Sequence, residues 1–319
     1  MSRNKIMVSM WKVMTALFPL MILLSSCNKE TPTASPSPSA QRTFATPEDA
    51  AKALVEAAQS NSRDAMLAIM GAASENVIYS GDATQDKAAF AGFVSDYGVM
   101  HRFRKLSDGS EVLITGTDNK TFPLPLKKNS AGQWLFDVDA GTKEILARRI
   151  GKDETAAIDI CAAIADAQQE YFSQRHDGVK QYAEKFISDE GKQNGLYWPT
   201  VEGQAKSPLG PLLAFATAEG YKVQQSKHQP YYGYYFAMLD KQGADAKGGA
   251  KSYIVNGKMT GGFAIVAYPA QYRDSGIMTF IINQNGLVYQ KDLGTTTDQA
   301  AAAMTEFNPD KNWTVVELN

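Results

Sequence analysis

Two cysteines, three histidines and several paired carboxylates are the side chains of this chain that could do chemistry. Cys27 follows Leu24-Ser25-Ser26, so its thiol, a nucleophile once ionised, sits among small residues that an enzyme can reach. Cys161 lies in Ile160-Cys161-Ala162-Ala163, an apolar helical setting where cysteine behaves as a small hydrophobe. The histidines, His101, His176 and His228, are far apart and form no HExxH pair, so no metal site is expected. The chain has no GxSxG elbow and no phosphate-binding loop of the Walker type. Gly248-Gly249 and Gly261-Gly262 read as turn glycines, since a dinucleotide fingerprint needs a strand before it and a helix after it. Paired acids could flank a glycosidic bond. The pairs here are Asp137 and Asp139, Asp153 and Glu154, Asp189 and Glu190. Each is expected in a polar loop or at an element end, where solvated charge accounts for it. Asp153-Glu154 is expected just before a helix, facing its positive end. No catalytic residue and no cofactor is assigned.

The most unusual feature is aromatic. Tyr231, Tyr232, Tyr234, Tyr235 and Phe236 crowd one segment, with Tyr197 and Trp198 upstream and Tyr268 and Tyr272 downstream. On an unbroken strand Tyr232, Tyr234 and Phe236 share one face, unless Gly233 makes a bulge. The plainer reading is a sheet stabilised by aromatic cross-strand pairs. The functional reading is a rigid surface for a glycan or a protein partner, drawn from Tyr197, Trp198, Tyr232, Tyr234, Phe236 and Tyr272.

These residues must be positioned by the elements around them. Thr46-Pro47-Glu48-Asp49 predicts a capped helix start, and Ala50, Ala53, Leu54 and Ala57 continue at helical spacing. Helices are expected over 64–70, closed by Gly71, and over 87–97. Strands follow over 100–106, 111–114, 121–127 and 132–138. Residues 141–154 read as a short helix and connector. Residues 155–174 carry a clean apolar stripe. Residues 182–187 read as a short helix, and 231–239, 263–268 and 276–282 as strands. Asn285-Gly286 turns the last of these into 287–290 as a hairpin. A terminal helix over 300–304 and a strand over 313–316 close the chain. The expected class is α+β, two domains with helices packed on antiparallel sheets: 44–150, reminiscent of cone-shaped cystatin-like folds, and 151–319.

The body is preceded by a leader and a tether. Residues 1–26 carry Arg3, Lys5 and Lys12, then an apolar run too short to span a membrane comfortably. With Leu24-Ser25-Ser26-Cys27 this looks like a lipoprotein signal peptide ending in a lipobox, with Cys27 taking the diacylglyceryl group. If Cys27 is lipidated, Cys161 has no disulfide partner within the chain. Residues 27–43 are rich in Pro, Ser and Thr and read as a solvated tether. Asn28 is not the aspartate that signals inner-membrane retention in enteric bacteria, so an outer-membrane address facing the periplasm is expected. The 319 residues carry a formal net charge of −2, and losing the basic leader makes the rest more acidic. Nucleic-acid binding is excluded on that ground, because it needs a basic face.

Several runs resemble a known family. They include Ala264-Ile265-Val266-Ala267-Tyr268-Pro269, Ser275-Gly276-Ile277-Met278-Thr279-Phe280, Asn285-Gly286-Leu287-Val288-Tyr289-Gln290, Asn194-Gly195-Leu196-Tyr197-Trp198-Pro199 and Gly233-Tyr234-Tyr235-Phe236. They resemble the bacterial domain-of-unknown-function family 2950 across most of the mature chain. The resemblance implies secretion and a shared fold, and assigns no activity and no catalytic residue. The second half is also similar, more weakly, to the globular heads of type II secretion pseudopilins, but here a whole domain precedes the long helix. Together these features predict a membrane-anchored envelope lipoprotein acting as a non-catalytic binding or scaffolding module. The alternatives are an envelope glycan or peptidoglycan hydrolase using dispersed carboxylates, and an accessory part of a secretion machine.

Overall fold

The computed structural model describes residues 41–200, 203, 205–222 and 229–317. Cys27 and His228 lie outside the described residues. Residues 41–317 belong to one compact unit, and its class is α+β. Its helices are α1 (Pro47–Gln59), α2 (Arg63–Met70), α3 (Glu75–Ile78), α4 (Ala83–Val99), α5 (Val138–Ser173), α6 (Gly210–Ala218) and α7 (Thr297–Ala302). Helix α1 begins as its sequence dictates: the Thr46 hydroxyl accepts from the Asp49 amide at 3.1 Å, and Pro47 needs no amide partner. Helix α2 stops at Gly71, whose φ of +91° lies in the region that favours glycine.

The buried side chains gather in two clusters. The first takes Phe44, Leu54, Ile69, Leu126, Trp134 and Phe136, from α1, α2 and a small antiparallel sheet. That sheet runs His101–Lys105, Glu111–Thr115, Leu126–Lys128, Trp134–Phe136, with Lys120–Thr121 paired to the second strand. The expected strand over 121–127 is therefore split in two. The second cluster is larger and sits on an antiparallel sheet in the order Thr314–Val315, Val288–Asp292, Met278–Asn283, Ala264–Pro269, Tyr234–Leu239. Helix α5 crosses one face of it, and α7 packs against the Ala264–Pro269 strand. The Asn283–Val288 hairpin turns at Gly286, with φ +77°.

Helix α5 departs most from expectation. Residues 141–154 are not a connector; one helix runs without a break from Val138 to Ser173. At 1.5 Å per residue its 36 residues span about 54 Å. Half of the residues in its first half face solvent, and Val138 and Ile145 pack on the first cluster. The Arg149 guanidinium donates to the carbonyls of Asn76 and Val77. Gly141 lets the helix approach so closely that a Cβ there would lie 2.4 Å from the Pro123 carbonyl oxygen. Asp153-Glu154 is accordingly in mid-helix and caps nothing. The boundary drawn between 150 and 151 falls inside this helix.

Residues 182–187 form no helix. The buried Gln168 of α5 ties the chain down there: its amide nitrogen donates to the Ala183 carbonyl at 2.8 Å, and its oxygen accepts from the Ala183 amide at 2.8 Å. A helix over 182–187 would engage the Ala183 carbonyl with an amide four residues on and so take it from Gln168.

Candidate binding cleft

The aromatic segment does not present one face. Tyr232 has φ +49° and Gly233 φ +69°, so the chain makes a tight turn, and the strand begins only at Tyr234. Tyr231 and Tyr234 close that turn with amide-to-carbonyl bonds in both directions. Tyr232 swings out of the strand; its hydroxyl bonds Glu219, and Lys152 lies 5.5 Å over its ring. Tyr234 has no exposure at all, and its hydroxyl donates to the Met278 carbonyl at 2.9 Å. Trp198 is buried too, its indole donating to the Ala205 carbonyl. Neither can belong to an open binding surface. Tyr197 and Phe236 are half-buried against the large core. Tyr272 is half-buried elsewhere, its hydroxyl on Asp292 at 3.2 Å. Of the six aromatic residues, Phe236 alone lines the cleft described next.

That cleft has a volume of about 670 Å³, within the usual size of small-molecule sites. Its floor is Ile160 and Ile164 of α5 with Phe236 and Met238 of the edge strand. One wall is α6, through Leu212, Leu213 and Ala216, preceded by Leu209. Phe186, Ile187, Tyr221, Tyr231 and Tyr235 complete it. Charged side chains, Glu184, Lys185, Asp189 and Lys222, also border it. The Lys185 ammonium is 2.8 Å from the Asp189 carboxylate. With Asn194 it holds that acid down at about 2. The sequence reading missed α6 entirely. Its signal was Gly210-Pro211 followed by Leu212, Leu213 and Phe215, a proline in the first turn ahead of an apolar run. Phe215 remains 55% exposed on its outer side.

The other candidates for chemistry disperse. His101 stacks on Tyr97 and His176 on Tyr171, at 3.8 and 3.6 Å between ring centres. Among the described residues, no group of three or more His, Cys, Asp and Glu could hold a metal ion, and no helix is long and apolar enough to cross a membrane. Cys161 is fully buried, and burial pushes its thiol up to about 12. Such a thiol is inert at neutral pH.

A second group of titratable side chains lies behind the cleft. The Tyr221 ring faces Tyr231, centres 4.7 Å apart, and its hydroxyl donates to Asp82 at 2.7 Å. Asp82 is buried and well supplied: its other oxygen accepts the amides of Thr84 and Gln85, both at 3.1 Å, and caps α4. Asp153 of α5 has no exposure and accepts one bond, from Gln85 at 2.8 Å. Its Oδ2 has no partner. Burial pushes its carboxyl up to about 7, opposed by Lys152 and Arg149 and assisted by Asp82 and Asp86. Neighbouring Glu154 accepts the amides of Ile277 and Met278, at 2.9 and 3.0 Å, and pins α5 to the central strand.

The family model described as "Protein of unknown function (DUF2950)" matches residues 41–316. No curated protein matches the chain, and no solved structure does.

Proposed function

Because the chain belongs to the DUF2950 family, whose description assigns no activity, we propose a function from the cleft: a lipid-anchored envelope protein that binds an amphiphile, its slender apolar tail between α5, α6 and the Tyr234–Leu239 strand. The observation that carries this is the lining. Isoleucine, leucine, methionine and aromatic side chains surround about 670 Å³, and charge is supplied by four bordering residues. Burying each methylene of a tail contributes about 0.8 kcal/mol, so a chain of ordinary lipid length binds without a strong polar contact. Lys222 suits an anionic head, whereas Lys185 is paired with Asp189.

The anchor reading is supported by Leu24-Ser25-Ser26-Cys27 and by the Pro- and Ser-rich stretch after it. Two or three acyl chains on Cys27 hold a protein stably where one does not. Asn28 favours the outer membrane, with the body in the periplasm.

A glycan hydrolase needs a carboxylic acid kept protonated near neutral pH and within reach of substrate. Asp153 is the described carboxyl driven furthest upward, and it has no exposure and no place on the cleft. Asp189, which does line the cleft, is driven down. This distribution favours binding over hydrolysis.

The test is titration with a fluorescent fatty acid, with a chitin oligomer as the glycan control. Saturable fatty-acid binding is expected, weakened at least tenfold by Ile164→Trp, which fills the floor. Equal affinity in the two proteins, or binding of the oligomer alone, sinks the reading. Independently, Cys27→Ser is expected to shift the protein from the membrane fraction to the soluble one.

A further inference from the structure

Asp82 and Asp153 meet at one place and are provided for very differently. Asp82 receives the Thr84 and Gln85 amides, the Tyr221 hydroxyl and, at 3.4 Å, the Gly233 amide. Its charge is matched by donors from three segments. Asp153 receives one neutral amide, from Gln85. Gly233 is pressed so closely on its unpartnered Oδ2 that a Cβ there would lie 2.6 Å from that oxygen. Cations stand nearby but are engaged elsewhere: Arg149 with two carbonyls, Lys152 with the Tyr232 ring. The remaining charged or titratable neighbours are Asp82 and Asp86 at the start of α4, Glu154 on α5, Tyr221, Tyr232 and Tyr234, and Asp274 after the Ala264–Pro269 strand. No hydrogen bond in this set neutralises an ionised Asp153.

We propose that Asp153 is a proton-operated latch, its protonated carboxyl holding the Tyr231–Tyr234 turn and the start of α4 against α5, and its ionised form prising them apart. The physical basis is the sealed position. An ion with one neutral donor and a bare Oδ2, facing Asp82 and sealed by the Gly233 turn, costs more than the neutral acid. Burial accordingly raises Asp153 to about 7. A carboxyl released into solvent titrates near 4. Between those values opening releases one proton, so the opening constant rises about tenfold per pH unit and levels off above 7. The turn also carries Tyr231, and Asp82 holds Tyr221, so two residues of the cleft wall hang on the latch. That consequence for the cleft rests on the binding reading above; the latch itself does not.

Hydrogen exchange on the full chain tests it, read on peptides covering 80–90 and 229–240 and corrected for intrinsic rates. Protection of the wild type is expected to fall about fiftyfold from pH 5 to 7 and then flatten. Asp153→Asn, which keeps a neutral group of the same shape, is expected to lose that slope. A variant with the wild-type slope overturns the proposal. Should the variant not fold, infrared spectroscopy of the wild type decides: a buried protonated-carboxyl band present at pH 6 and titrating between 6 and 8 supports the latch, and its absence at pH 6 overturns it. Neither readout involves a ligand, so failure of the cleft assay leaves this result unaffected.

Discussion

Gln168 has no exposure near the C-terminal end of α5, yet it does what a strand neighbour would do, pairing the amide and the carbonyl of Ala183 at once. Truncation to alanine leaves two buried backbone groups without partners. Gln168→Ala is therefore expected to cost about 3 kcal/mol, read from the urea midpoint. Asp153 has the opposite sign. Its folded carboxyl titrates about 7, its unfolded one near 4, so the native state holds the extra proton between them. Its contribution to stability is intact below about pH 4, declines through the window and is flat above 7. Asp153→Asn should therefore gain on the wild type as pH rises from 4 to 7. Neither role was legible in the sequence. Gln168 shows there only as a polar interruption in a stripe, and Asp153 only as one of two adjacent acids. Which carboxyl is sealed depends on Gly233, 80 positions away along the chain.

Helix α5 carries a paired prediction at the scale of the element. Gly141 and Gly151 are both helical, and alanine there improves intrinsic propensity by about 1 kcal/mol. Nothing stands within 4 Å of a Cβ at Gly151, so Gly151→Ala is expected to stabilise by up to about 1 kcal/mol. At Gly141 the new methyl meets Leu124 and the Pro123 carbonyl at 2.4 Å, and backbone cannot step aside. Gly141→Ala is expected to destabilise by about 1–3 kcal/mol in the same thermal melt. Equal shifts in the two variants would show that propensity alone governs this helix. Local signals set some elements: Thr46-Pro47 opened α1, Gly71 closed α2, and Asn285-Gly286 turned the hairpin. They misled where the partner was distant, as at 182–187.

Over the whole molecule, the two buried clusters are joined by α5 and by the bonds from Gln85 to Asp153 and Tyr221 to Asp82. Trp134 reports on the first cluster and Trp198 on the second. Urea unfolding of single-tryptophan variants is expected to give coincident midpoints, because a continuous helix cannot melt on one side without fraying the other. Well-separated midpoints would show that the halves unfold independently.

The α+β class, the capped start of α1, the hairpin and the family were legible in local patterns, because capping, turn geometry and apolar periodicity act over a few neighbouring residues. The cleft, the buried acid and the turn at Tyr232-Gly233 were decided only by tertiary structure. Burial is a property of what packs on a side chain from elsewhere, and no run of residues encodes its own neighbours.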